Sequence, residues 1–210
     1  MPSYENFLSL LDNDLEQAFK TYELDFNSAE FDSQAGAYET SIEFEFKGPN
    51  KILMKKDPKS DKKATYLTWA RKKAVPVKLD SNSPPYFMTS HLSNCRMTFK
   101  FHDDQNKSVT VIHVAGDVPN GGTIEGSVQR DELENEVVTP EVKRTRRLSI
   151  GGPKTGQKGR NFKKEQAKAG TAYYDTCARV FGVRGDDDRW TFYTQDIGRK
   201  DKLIGFFEIE

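Results

Sequence analysis

The stretch RMTFKFHDDQNKSVTVIHVAGD, Arg96 to Asp117, decides how this chain folds. Two β-rich runs, RMTFKFH and SVTVIHVAGD, flank the short polar connection DDQNK, whose Asp and Asn residues favour a turn; the stretch predicts an antiparallel hairpin. Cys95 stands at the beginning of the first strand and His113 near the end of the second. A hairpin folds those two ends toward one another.

Working outward, strand signals dominate. Tyr38 to Phe46, YETSIEFEF, alternates with period two, and Lys51 to Met54, Thr65 to Trp69 and Val75 to Leu79 follow, separated by turn-rich text such as GPN and DPKSDKK. At the N-terminus Phe7, Leu8, Leu10, Leu11, Leu15 and Phe19 recur at near-helical spacing, predicting one amphipathic helix over about residues 4 to 21. Residues 118 to 170 read as the least regular part, passing from the acidic DELENE to the basic, glycine-bearing KRTRRLSIGGPKTGQKGRNFKK, which reads as a mobile loop with a short helix near Lys163 to Lys168. The segment TAYYDTCARVFGV has an ambiguous period, and RWTFYTQDI and LIGFFEIE read as strands. One or two helices with about nine strands predict an α/β or α+β fold, a sandwich of mixed β-sheets flanked by helices and long loops.

The 210 residues are enough for one domain with a substantial core, so one domain over 1–210 is expected. The 32 Lys and Arg balance the 32 Asp and Glu, which removes a global field toward nucleic acid or an anionic membrane. Two cysteines make no disulfide framework, and Cys95 and Cys177 lack the C-x-x-C spacing of a zinc or redox site; free thiols are expected, with no metal and no cofactor. The first residues carry acids and no basic n-region, unlike a Sec signal peptide, and no run approaches the roughly 20 apolar residues that span a bilayer. The expectation is a soluble monomer that binds neither nucleic acid nor membrane.

A cysteine attacks as its thiolate, so it needs a base, access to substrate and donors aimed at the developing oxyanion. Here a loop-to-strand junction offers the backbone N–H groups of Asn94 and Cys95 as donors, and His113 across the hairpin takes the thiol proton and returns it to a leaving amine. His113 is flanked by Val111, Ile112, Val114 and Ala115, and an imidazole in so apolar a strand needs a partner to be tolerated. His91, four residues before the cysteine, competes for the role of base, whereas His102 beside DDQNK reads as solvated. Cys177, among apolar neighbours, reads as a packed residue, and Asp186 to Asp188 after Gly185 read as a polar turn.

The run YFMTSHLSNC, Tyr86 to Cys95, followed by the isolated histidine of VIHVAGD, resembles the active-site core of the glutamine-deamidase superfamily of Burkholderia lethal factor, the cytotoxic necrotizing factor catalytic domain and the bacterial chemoreceptor deamidases. The shared pattern is a threonine, then Leu-Ser-x-Cys or Leu-x-x-Cys a few residues on, then a histidine on the next strand. Thr89 precedes Cys95 by six positions and His113 follows it by eighteen. Asn94 stands where the lethal factor has glycine, and asparagine is the next most tolerant of left-handed backbone. The resemblance covers about thirty residues.

It implies that Cys95 is the nucleophile, His113 the general acid/base and Thr89 the group that orients the imidazole. It also implies a protein-glutamine deamidase of the bacterial toxin or effector kind, secreted and acting in a host cytosol on a protein such as a GTPase or translation factor. A transglutaminase or cysteine peptidase using the same Cys-His pair, and a non-catalytic binding protein, are the alternatives. The basic tract from Lys143 to Lys164 is then expected to help dock an acidic partner surface, since charge complementarity raises association rates.

Overall fold

The computed structural model describes residues 3–26, 28–118, 124–150, 171–174, 177–197 and 203–209. Among them lie helices α1 (Tyr4–Asn13), α2 (Leu15–Thr21), α3 (Ser28–Phe31) and α4 (Ile124–Asn135). The strands are β1 (Glu23–Phe26), β2 (Ala37–Gly48), β3 (Lys51–Lys56), β4 (Lys63–Leu67), β5 (Ala74–Leu79), β6 (Tyr86–Thr89), β7 (Arg96–Phe101), β8 (Val109–Val114), β9 (Arg144–Ile150), β10 (Thr171–Tyr174), β11 (Cys177–Arg184), β12 (Trp190–Ile197) and β13 (Leu203–Ile209). They form an α+β sandwich of two mixed sheets. The larger has the order β1-β3-β2-β4-β6-β11-β12-β13, and the smaller β10-β9-β7-β8-β5. The helix expected at Lys163 to Lys168 lies outside the described residues.

The N-terminal helix is two helices. Asp14, at φ −154° and ψ 77°, leaves helical geometry, ends α1 through its backbone N–H on the Leu10 carbonyl, and starts α2 by accepting the Gln17 N–H on its side chain. A short polar side chain that competes for backbone donors favours such a cap over a helix interior. Phe7, Leu11, Ala18 and Phe19 still face inward, onto Tyr22, Phe44, Phe181 and Tyr193 of one core. Gln195 of β12 ties this layer down: fully buried, it accepts the Leu24 N–H at 2.9 Å and donates to the carbonyls of Phe19 and Tyr22 at 2.9 and 2.7 Å.

The second core lies between the sheets. Alternation along β6 sends Met88 to the helix-covered face of the larger sheet and Phe87 to the inter-sheet face, so Thr89 shares the side of Phe87. There Phe192 meets Phe87, Phe99, Phe101 and Trp190 with ring centroids 5.9, 4.8, 6.3 and 6.0 Å away. Burying one such ring contributes about 1.5–3 kcal/mol.

The segments expected to be irregular hold α4 and β9. The acidic tract is helical, and it packs over the opposite face of the smaller sheet through charge rather than grease. Asp131 and Glu134 bind Arg96 at 2.5 and 3.4 Å, the Thr98 hydroxyl donates to Glu134 at 2.8 Å, and Arg147 of β9 reaches Glu134 at 2.6 Å. Burial raises the Glu134 carboxyl toward the neutral form, but Arg147, Thr98 and Arg96 outweigh it and hold the group below its usual value. The basic RTRRLSI is a central strand paired with β7 and β10, not a mobile loop. Its Arg144 stacks on Phe101 with 4.5 Å to the ring centroid and donates to Asn106 at 2.7 Å. Arg144 and Arg147 therefore make their contacts within the fold. No helix among the described residues is long and apolar enough to cross a membrane.

Candidate active site

The hairpin forms as its turn chemistry predicts. Asp103 accepts the backbone N–H groups of Gln105, Lys107 and Ser108, and β7 pairs antiparallel with β8 so that Met97 faces His113 and Arg96 faces Val114. Continuing that alternation one step past the strand sets Cys95 on the same face as Met97, in the inter-sheet core and diagonal to His113. Diagonal neighbours of an antiparallel pair lie about 7–8 Å apart at Cα, within reach of an imidazole.

Thr89 arrives from the other sheet. Its hydroxyl donates to the Leu67 carbonyl at 2.7 Å and lies 2.9 Å from Nδ1 of His113. A hydroxyl has one proton, and a carbonyl can only accept it, so the Nδ1 contact must be an N–H donated to Thr89. Nδ1 thus carries the imidazole proton, and Nε2 keeps its lone pair. Nε2 is buried with no hydrogen-bond partner. His113 is fully buried, and that burial pulls its pKa from 6.5 down to about 3, so the ring is neutral near pH 7.

The Cys95 loop is fixed from three sides. Leu92 bridges to Ala178 of β11, with N–H to carbonyl distances of 2.9 and 3.0 Å in the two directions. The Tyr174 hydroxyl donates to the Cys95 carbonyl at 2.8 Å. Gly116 presses so closely on the Asn94–Cys95 peptide that an added Cβ would stand 2.3 Å from the Asn94 oxygen and 2.8 Å from the Cys95 nitrogen. Asn94 is left-handed at φ 65°, a conformation that asparagine adopts more readily than most residues.

Cys95 is only 7% exposed, whereas the sequence reading asked for an accessible thiol. Packing at the end of β7 encloses the sulfur. Burial raises its pKa, opposed by backbone hydrogen bonds at Gly116 and Ser93 and by the charge of Arg130. The thiol also donates to the Ser93 carbonyl at 3.7 Å. At rest Cys95 is a neutral thiol and His113 a neutral imidazole, both on the inter-sheet face of the hairpin.

His91 is directed elsewhere. Its Nε2 accepts from Arg179 at 3.0 Å, and its ring packs on Phe26, at the β1 side of the larger sheet. His102 is half-buried rather than solvated, with its ring nitrogens 2.8 Å from both the Glu141 carbonyl and the Thr110 hydroxyl. Cys177 begins β11, and Asp186 to Asp188 form the turn into β12, with Asp187 on Arg189 and Asp188 on Arg184. No group of three His, Cys, Asp or Glu suited to a metal occurs among the described residues.

Sequence reasoning missed Tyr174 and Arg130. Tyr174 sat in a segment of ambiguous period, and Arg130 in one read as irregular. No protein-family model and no curated protein matches the chain.

Proposed function

We propose that the chain is a cysteine-dependent protein-glutamine deamidase with Cys95 as nucleophile, His113 as general acid/base and Thr89 as the residue that sets the imidazole tautomer. The observation that carries this reading is the Leu67–Thr89–His113 relay. It leaves the one basic nitrogen of a buried, neutral imidazole on the face that also carries the cysteine. A buried acceptor with no partner costs about 1–3 kcal/mol, and a transient proton transfer from the thiol is a use that explains it.

His113 Nε2 takes the Cys95 proton as sulfur attacks the side-chain carboxamide carbon of a glutamine. The backbone N–H groups of the Asn94–Cys95 junction are the donors assigned to the oxyanion, while the Gly116 N–H reaches the Cys95 sulfur. Collapse breaks the C–N bond, His113 returns the proton to the leaving nitrogen, and ammonia departs from a thioester. Water, deprotonated by His113, then cleaves the thioester to glutamate and restores the thiol. The sum is glutamine plus water giving glutamate plus ammonia. A thiol sunk this far from the surface suits the slender end of a glutamine side chain better than a backbone amide flanked by two residues.

The test is peptide-level mass analysis of a cell lysate treated with the protein or with Cys95→Ser. A gain of about one dalton on a defined glutamine, absent with the variant, supports deamidation. Cleaved backbones would make the chain a peptidase, and amine-conjugated glutamines a transglutaminase. No change with either protein would leave it a binding protein.

A further inference from the structure

Arg130 is an unusual residue for this fold. It is 1% exposed, and its Nη1 is buried without a hydrogen-bond partner. Its place follows from α4. Glu134 contacts Thr98 and Arg96, and Asp131, nearly one turn earlier, contacts Arg96, so moving toward the helix N-terminus moves along β7 toward Cys95. Arg130 shares the face of Glu134, four residues on, and helical side chains lean toward the N-terminus. The guanidinium is thereby carried past Arg96 to the end of the sheet where Cys95 stands and where Tyr174 holds the Cys95 carbonyl.

We propose that Arg130 is a positioning residue of the Cys95 centre, its buried guanidinium supplying the positive charge that stabilises the thiolate as it forms. The inference rests on Cys95 being a nucleophile. The surrounding groups agree with it. His113 on β8 is neutral, Tyr174 on β10 is held well above its usual pKa by burial and is uncharged, and Asp117 after β8 opposes the thiolate. Arg96 is committed to Asp131 and Glu134. Arg130 is a cation that favours the thiolate, and the coupling is mutual, with Cys95 in turn favouring the charged arginine. A helix pinned through Asp131 and Glu134 holds that charge, which Asp131 favours from a distance while Nη1 makes no hydrogen bond.

The experiment measures the pH dependence of Cys95 alkylation by iodoacetamide, mapped by peptide mass, in the wild type and in Arg130→Met, Arg130→Gln and Arg130→Lys. Replacing a buried, incompletely bonded charge by neutral groups is commonly tolerated, and circular dichroism checks the fold. We expect the alkylation midpoint to rise by about one pH unit in the Met and Gln variants, slowing reaction at neutral pH roughly tenfold, while Lys stays near the wild type. An unchanged midpoint in folded Met and Gln variants overturns the proposal. So does loss of fold in both, which would make Arg130 purely structural. Cys95 that resists alkylation in the wild type across the whole range would instead sink the nucleophile reading itself.

Discussion

Between pH 6.5 and 5, acid should destabilise this protein chiefly through His113. His113 is fully buried and carries a pKa of about 3 in the fold, against 6.5 for the ordinary side chain. Below pH 6.5 the unfolded chain takes up a proton that the folded chain refuses until about pH 3, so stability rises with pH across that window and is complete above it. Each unit of separation contributes about 1.4 kcal/mol, which amounts to about 2 kcal/mol lost between pH 6.5 and 5. At a urea dependence of about 2 kcal/mol per molar, the midpoint should fall by roughly 1 M over that interval. His113→Gln removes the titration while keeping a polar side chain for Thr89. The assay is urea unfolding of both proteins at pH 7.5 and pH 5, read as the difference of differences, so that His91, His102 and the carboxylates cancel. A variant with the same acid loss as the wild type would refute the argument, since His113 would then be solvated or charged in the fold.

Three further outcomes follow from the same contacts. Thr89→Val keeps the shape but orphans the Nδ1–H and releases the tautomer, so turnover should fall ten- to hundredfold while Thr89→Ser retains most of it; steady-state ammonia release with a glutamine protein substrate reads this. Gly116→Ala forces its methyl against the Asn94 carbonyl, costing about 1–3 kcal/mol in urea unfolding and slowing Cys95 alkylation as the Cys95 loop is displaced. Gln195→Leu strands the Leu24 N–H and the Phe19 and Tyr22 carbonyls, and thermal or urea unfolding should show a loss of about 2–4 kcal/mol with Cys95 reactivity unchanged.

What the sequence revealed divides by how the fold buries things. The hairpin of β7 and β8 was legible because its alternation is apolar and its turn is local. Cys95 and His113 were placed on it by register alone, and Thr89 came from the resemblance. The contact of Thr89 with His113 crosses between sheets and could not be read from spacing. The break at Asp14 had a signal, since Asp14-Leu15-Glu16-Gln17 carries the spacing of a capping box, but the apolar stripe running through it concealed the stop. Helix α4 was hidden because its inward face is Arg130 and Glu134, and a period search counts apolar residues. Strand β9 was hidden for the complementary reason, its arginines answering the acids of α4 and the ring of Phe101. Charge patterning of two segments that look solvated separately becomes structure when they meet.

The most direct measurement of the central proposal is the reaction of the protein with a glutamine-bearing target in water enriched in heavy oxygen, following ammonia and the mass of the converted residue together. A Cys95 thioester opened by water predicts one ammonia per glutamate and one heavy oxygen in each new carboxylate, with neither signal from Cys95→Ser or His113→Gln. Conversion that persists at wild-type rate in Cys95→Ser would contradict it.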